Sequence, residues 1–102
     1  MSMKEPQSLD EAFELVSKQM LVVFQKKHKD YGKGNILDTG DLGIAFRVND
    51  KLNRLKHLLT TKAHPINESM EETWIDVAVY SVIAVMYLHG WFQKLHLKKD
   101  PK

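Results

Sequence analysis

Cysteine is absent from this chain of 102 residues. Disulfides and thiolate-bound metal are thereby excluded, and the composition fits a reducing, cytoplasmic setting. The opening residues, MSMKEPQS, contain no apolar stretch, so export is not expected. No apolar run reaches the roughly 20 residues that span a bilayer, so no membrane partner is expected either. Charge of one sign is scarce as well: 15 Lys and Arg face 13 Asp and Glu, a net charge of +2. Much of the positive excess lies after Gln93. A nucleic-acid binder normally carries a stronger basic stripe, which argues against such a partner. The chain is long enough for one domain, residues 1–102, with residues 1–7 and 97–102 expected to be flexible ends.

What the chain does contain is a long apolar run behind a cluster of acids. Asn67 to Leu88 reads NESMEETWIDVAVYSVIAVMYL, with Glu68, Glu71 and Glu72 first and an apolar stretch from Trp74 onward. Its Val and Ile content favours strands. The stretch is nevertheless too long for an ordinary buried strand, and no Gly or Pro interrupts it before Gly90. It is predicted to be a helix, apolar on every side and therefore buried all round. Asp76, the one charge in the run, goes into the interior with it. An ionised carboxylate is costly to bury unless a cation or several donors meet it.

Two further helices are expected. Ser8 and Glu11 form a capping box opening a helix over about residues 9–29, with Leu9, Phe13, Val16, Met20 and Phe24 as its core stripe. Gly32 is the expected stop. The next stretch, KKHKDYGKGNILDTGD, could cradle a phosphate through its glycines, or serve only as a linker, since no P-loop spacing is present. The second helix, over about 39–62, is capped by Asp38 or Thr39. Ala45, Val48, Leu52, Leu55 and Leu59 form its apolar stripe, and Arg47, Lys51 and Arg54 a basic one. Lys62 to Pro65 ends it, Pro65 pushing His64 out of helical geometry. Asn67, or Ser69 with Glu72, caps the third helix, over about 67–89. Trp91, Phe92 and Leu95 are expected to close the core edge. The fold class is all-α, a bundle of three main helices. Three helices cannot easily cover one that is apolar all round, so a second copy, in a homodimer, should supply the missing wall.

Glu68, Glu72 and Asp76 lie at successive i+4 steps and form one slanted acidic line. Like charges at that spacing repel. Protonation, pairing with Arg or Lys, or a hard divalent cation would each relieve the repulsion. With oxygen ligands alone the cation would be Mg²⁺ or Mn²⁺. The alternative is structural: the glutamates favour the positive end of a helix, and Asp76 pairs with Arg47 or Arg54. Asp50 projects nearly opposite its helix's apolar stripe and would be solvated in a lone chain, pairing with Arg54.

Three segments, KHKDYGKGN, RVNDKLNRLKHLL and NESMEETWIDVAVYSVIAVMYL, resemble the nucleotide-modification-associated domain of phages and bacteria. That family in turn resembles the MazG-type all-α nucleoside triphosphate pyrophosphatases. The resemblance implies a helical, oligomeric protein handling a nucleotide or nucleoside triphosphate in a bacterial cell or phage-infected host. Paired acidic motifs on two helices would hold Mg²⁺ against the phosphates and activate a water for attack at the α-phosphorus. Glu72 and Asp76 would form the second motif, with Glu68 just ahead, and Asp50 would stand in the first. Lys29, Tyr31, Lys33, Arg47, Lys51 and Arg54 would face phosphate or base, with Trp74 available for stacking. The chain departs from that pattern at Asn53, three after Asp50, and at Thr73, three before Asp76, where MazG-type enzymes carry carboxylates. The resemblance therefore leaves two functions in view, a Mg²⁺-dependent (d)NTP pyrophosphatase and a non-catalytic helical nucleotide-binding or assembly module in a modification complex.

Overall fold

The computed structural model describes residues 5–61 and 67–98, the side chains of 67–69 excepted. Among these residues the chain is all-α, with no strand. Five helices follow in order: α1 (Leu9–Tyr31), α2 (Gly34–Leu37), α3 (Gly40–Thr60), α4 (Asn67–Leu88) and α5 (Trp91–Lys94). The three long helices are those expected, and α2 and α5 are single turns that the sequence reading had as linker and core edge. No helix among the described residues is long and apolar enough to cross a membrane.

Local chemistry sets most of the helix ends. Ser8 Oγ accepts from the Glu11 amide at 3.1 Å, while Glu11 Oε1 reaches back to the Gln7 amide at 2.7 Å, one residue beyond the usual box. Gly32 closes α1 at φ +70°, its amide on the His28 carbonyl, so α1 runs two residues past its expected end. Thr39 occupies the N-cap position of α3, but its side chain makes no capping hydrogen bond. The Thr39 side chain lies instead against Gly43, where a Cβ would come within 1.7 Å of Thr39 Oγ1. Gly90, at φ +79°, separates α4 from α5. The expected break at Lys62 to Pro65 and a cap on Asn67 or Ser69 lie outside the described residues.

The helices run up, down and up. α3 is antiparallel to α4, since Gly40 lies beside Tyr87 while Lys51 meets Asp76. α1 runs alongside α4 in the same sense: Gln19 to Lys27 face Glu71 to Asp76, and Phe24 to Tyr31 face Tyr80, Ile83 and Phe92. Ile36, Ile44, Val79, Ile83 and Phe92 form the buried core, with Met20, Val23, Phe24 and Val48 packed against it. Leu55 is buried as well.

Four expectations need correction. The α1 stripe packs only from Met20 onward, and its first half is bare, Leu9 being 88% and Phe13 78% exposed. The reason is reach: α1 continues beyond the level at which α4 begins, so its first turns have no neighbouring helix among the described residues. In α3 the inward face is Ile44, Val48, Lys51 and Leu55, whereas Ala45, Leu52 and Leu59 are exposed. Val48 and Leu55 are inward as expected, while Ile44 and Lys51, each one position earlier, stand inward in place of Ala45 and Leu52. Finally, α4 is not buried all round: Trp74, Val82, Val85 and Leu88 face outward on the side away from the core. Phe92 does close the core edge, but Trp91 and Leu95 are exposed.

Candidate functional site

A cleft of about 970 Å³ opens between α1 and α4. Periodicity explains its two walls. From α1 come Gln19, Val22, Val23, Lys26, Lys27, Asp30 and Tyr31, and from α4 Glu71, Glu72, Ile75 and Asp76. The α1 wall carries cations at its middle, and the α4 wall is acidic. Val23 and Ile75 give the space between them an apolar lining.

Asp76 is the point where three helices meet. Its side chain is 17% exposed, and one carboxylate oxygen lies 3.0 Å from Lys51 Nζ on α3. The other lies 3.6 Å from Lys27 Nζ on α1. The cationic partners are therefore these two lysines, not Arg47 or Arg54 as expected. Physically the substitution follows from the register: Lys27 and Lys51 both fall on the inward stripes of their helices, facing Asp76. Each lysine keeps its ammonium near the solvent edge while its aliphatic stem covers apolar surface.

The remaining expected site residues are dispersed. Tyr31 lines the cleft, and Lys51 supports its floor through Asp76. Lys33 turns away: its Nζ donates to the Phe92 carbonyl at 2.9 Å and to the Leu95 carbonyl, and lies 5.2 Å from the Phe92 ring centroid. It thereby caps the C-terminal end of α5 with a cation. Arg47 donates to Asn35 Oδ1 at 2.8 Å, tying α3 to α2. Lys29 and Arg54 are exposed and do not line the cleft. Asp50 is exposed on α3 and does not join the acidic wall, and the Glu68 side chain lies outside the described residues.

Among the described residues, no three Asp, Glu or His side chains come together closely enough to hold a metal ion. Glu71, Glu72 and Asp76 share a wall, but the Asp76 carboxylate is already met by two ammonium groups. These residues thus fit an ion-paired hub better than an all-oxygen cage of the kind Mg²⁺ and Mn²⁺ take.

Sequence reasoning missed Lys26, Lys27, Asp30 and Gln19. A signal for Lys27 was present, because the i+3/i+4 series Leu9, Phe13, Val16, Met20, Phe24 continues onto it. A lysine at the end of a core-facing stripe needs an anion opposite, and Asp76 is that anion.

The fold and cleft define a small up-down-up helical domain with a two-signed groove between its first and last long helices. Residues 27–88 match the family described as nucleotide modification associated domain 1, and the chain belongs to that family. The matched segment holds α2, α3, α4 and the last turn of α1, and with them the Lys27, Lys51 and Asp76 hub. No curated protein and no solved structure matches the chain.

Proposed function

We propose that this protein binds a nucleotide in the α1–α4 cleft, with the phosphate end on the α1 wall and the base or sugar on the acidic α4 wall. The observation that carries the reading is the opposite charge of the two walls. Lys26 and Lys27 offer ammonium donors to phosphate oxygens. Glu71 and Glu72 offer acceptors to sugar hydroxyls or a base amino group, which are donors. Tyr31, exposed at the cleft edge, presents a ring on which a base can stack. Membership of a nucleotide-modification family supports the ligand class.

A second reading has one observation in its favour, the shared wall of Glu71, Glu72 and Asp76. It is the MazG-like (d)NTP pyrophosphatase, in which Mg²⁺ or Mn²⁺ held at Glu72 and Asp76 would supply charge neutralisation at the phosphates. The two lysines on Asp76 favour binding over turnover, because a metal at that carboxylate would have to displace them.

Calorimetric titration of the full chain with canonical and modified (d)NTPs and monophosphates, in EDTA and in Mg²⁺, tests both. The binding reading expects at least one nucleotide to bind in EDTA, Lys26→Glu to abolish that binding, and no pyrophosphate to be released. Release of pyrophosphate that depends on Mg²⁺ and is lost in Asp76→Asn establishes the enzyme instead. Absence of binding under every condition overturns the cleft as a nucleotide site.

A further inference from the structure

The cleft between α1 and α4 is roomy but poor in positive charge. At about 970 Å³ it stands at the upper end of ordinary ligand pockets, which run to about 1,000 Å³. Volume therefore does not separate a short phosphate chain from a long one. Charge separates them. Along the α1 wall the lining side chains run Gln19, Val22 and Val23, Lys26 and Lys27, then Asp30 and Tyr31. The two lysines are neighbours in sequence, and no other cation lines the cleft among the described residues. One turn before them the wall is apolar, and one turn after them it is anionic. Across the cleft stand Glu71 and Glu72, both exposed. Lys27 is already shared with Asp76 at 3.6 Å, whereas no ion pair engages Lys26 among the described residues.

We infer that the cleft selects nucleoside monophosphates against di- and triphosphates, an inference that rests on the cleft being the nucleotide site. The cationic part of the α1 wall is one phosphate group wide. A second or third phosphate carried along α1 meets Val22 and Val23 in one direction and the Asp30 carboxylate in the other. Carried across the cleft, it meets Glu71 and Glu72. None of these side chains donates to a phosphate oxygen. Gln19 and Tyr31, at the two ends of the wall, carry neutral donors and add no charge.

The balance of the whole site points the same way. Lys26, Lys27 and, behind the floor, Lys51 supply three positive charges. Asp30, Glu71, Glu72 and Asp76 supply four negative ones, leaving a net charge of −1 among the described residues. A monophosphate brings about two negative charges at neutral pH and sets them directly on the lysines. A triphosphate brings about two more, with no lysine left to meet them. Two added charges about 8 Å from a net charge of −1, at an effective dielectric of about 60, cost about 10-fold in affinity. Asp30, Glu71 and Glu72 are then the residues that set phosphate number.

Calorimetric titration of the full chain in EDTA, with the deoxynucleoside mono-, di- and triphosphates of the four common bases, tests this. For any base that binds, the monophosphate is expected to bind about 10-fold tighter than the triphosphate, with the diphosphate between them. The gap is expected to narrow at high salt. Glu71→Gln/Glu72→Gln raises the net charge to +1 and is expected to reverse the order, with helical circular dichroism retained. Asp30→Asn, on the other wall, is expected to bring the two affinities within about 3-fold, and it carries the test where the double variant fails to fold. A wild-type chain that binds the triphosphate as tightly as the monophosphate overturns the inference while leaving the cleft a nucleotide site. So does a preference that neither variant changes. Absence of binding by every probe fails the cleft reading itself, and the selectivity with it.

Discussion

Replacing Asp76 by Asn separates the two readings of the cleft by the sign of its effect. In the structure the carboxylate sits between Lys51 Nζ at 3.0 Å and Lys27 Nζ at 3.6 Å, both ammoniums partly in solvent. Pairs solvated to that degree contribute about 0.5–1 kcal/mol each, so losing both should cost about 1–2 kcal/mol. At about 4–8 °C of Tm per kcal/mol for a domain of this size, thermal unfolding should fall by roughly 5–15 °C. Asn keeps one acceptor for a lysine, so Asp76→Ala should fall further.

The effect on binding is the more telling measurement. The hub carries two positive charges and one negative, and Asn raises its net charge from +1 to +2. One added charge about 6 Å from a phosphate, in a solvated cleft of effective dielectric about 40–80, is worth about 0.7–1.4 kcal/mol. Affinity for a nucleotide in EDTA should therefore rise by about 3–10-fold, and the gain should shrink with added salt. A metal site behaves the opposite way, because loss of a ligand carboxylate weakens the cation and everything held through it. Calorimetry of wild type and Asp76→Asn, below the melting range of both and at two salt concentrations, gives the sign. Weaker binding of the variant in EDTA would refute the charge argument.

Gly43→Ala should destabilise the chain by about 1–3 kcal/mol despite the better helix propensity of Ala. The added Cβ would come within 2.4 Å of Thr39 Cβ, an atom that side-chain rotation cannot remove. Thr39→Gly in the same chain should restore most of the loss in a denaturant titration. Leu55→Ala, at one of the most buried side chains, should cost about 2–5 kcal/mol and lower Tm by at least 10 °C or so, read by differential scanning calorimetry. Lys33→Met keeps the apolar stem but removes the donors to the Phe92 and Leu95 carbonyls. It should cost about 1 kcal/mol and speed hydrogen exchange selectively in α5, leaving α3 amides protected.

The bundle was legible because each long segment is too long and too unbroken for a strand, and because caps and stops mark two of them: Ser8 and Glu11 open α1, Gly32 ends it, and Gly90 follows the end of α4. The acid-rich start of α4 and the inward Asp76 were legible too, as was the need for cations opposite it. Which cations was not. Arg47 and Arg54 were expected, but of the basic stripe Arg47, Lys51 and Arg54 it is Lys51 that turns inside to Asp76, leaving Arg47 to Asn35. Which of Ile44 and Ala45 faces inward is likewise invisible to periodicity, because both are apolar. The cleft itself depends on how α1 is set against α4, and no local pattern in either helix encodes that placement. α2 escaped notice for a related reason: a four-residue helix that begins at Gly34 has no period to read, and Ile36 becomes core only because α3 folds back over it.

The apolar character of α4 then has two separate causes. One side, with Val79 and Ile83, is apolar because it meets α1, α3 and α5 of its own chain. The opposite side, with Trp74, Val85 and Leu88, is apolar although this chain leaves it bare. Asp76 belongs to the first side, and that is why the charge is tolerable: cations arrive from two neighbouring helices of the same chain. From Trp74 to Leu88 the outer stripe holds no charge. A carboxylate placed there, as in Val85→Glu, would be harmless against solvent and costly under an apolar partner. The same substitution thus measures which of the two environments the outer face occupies.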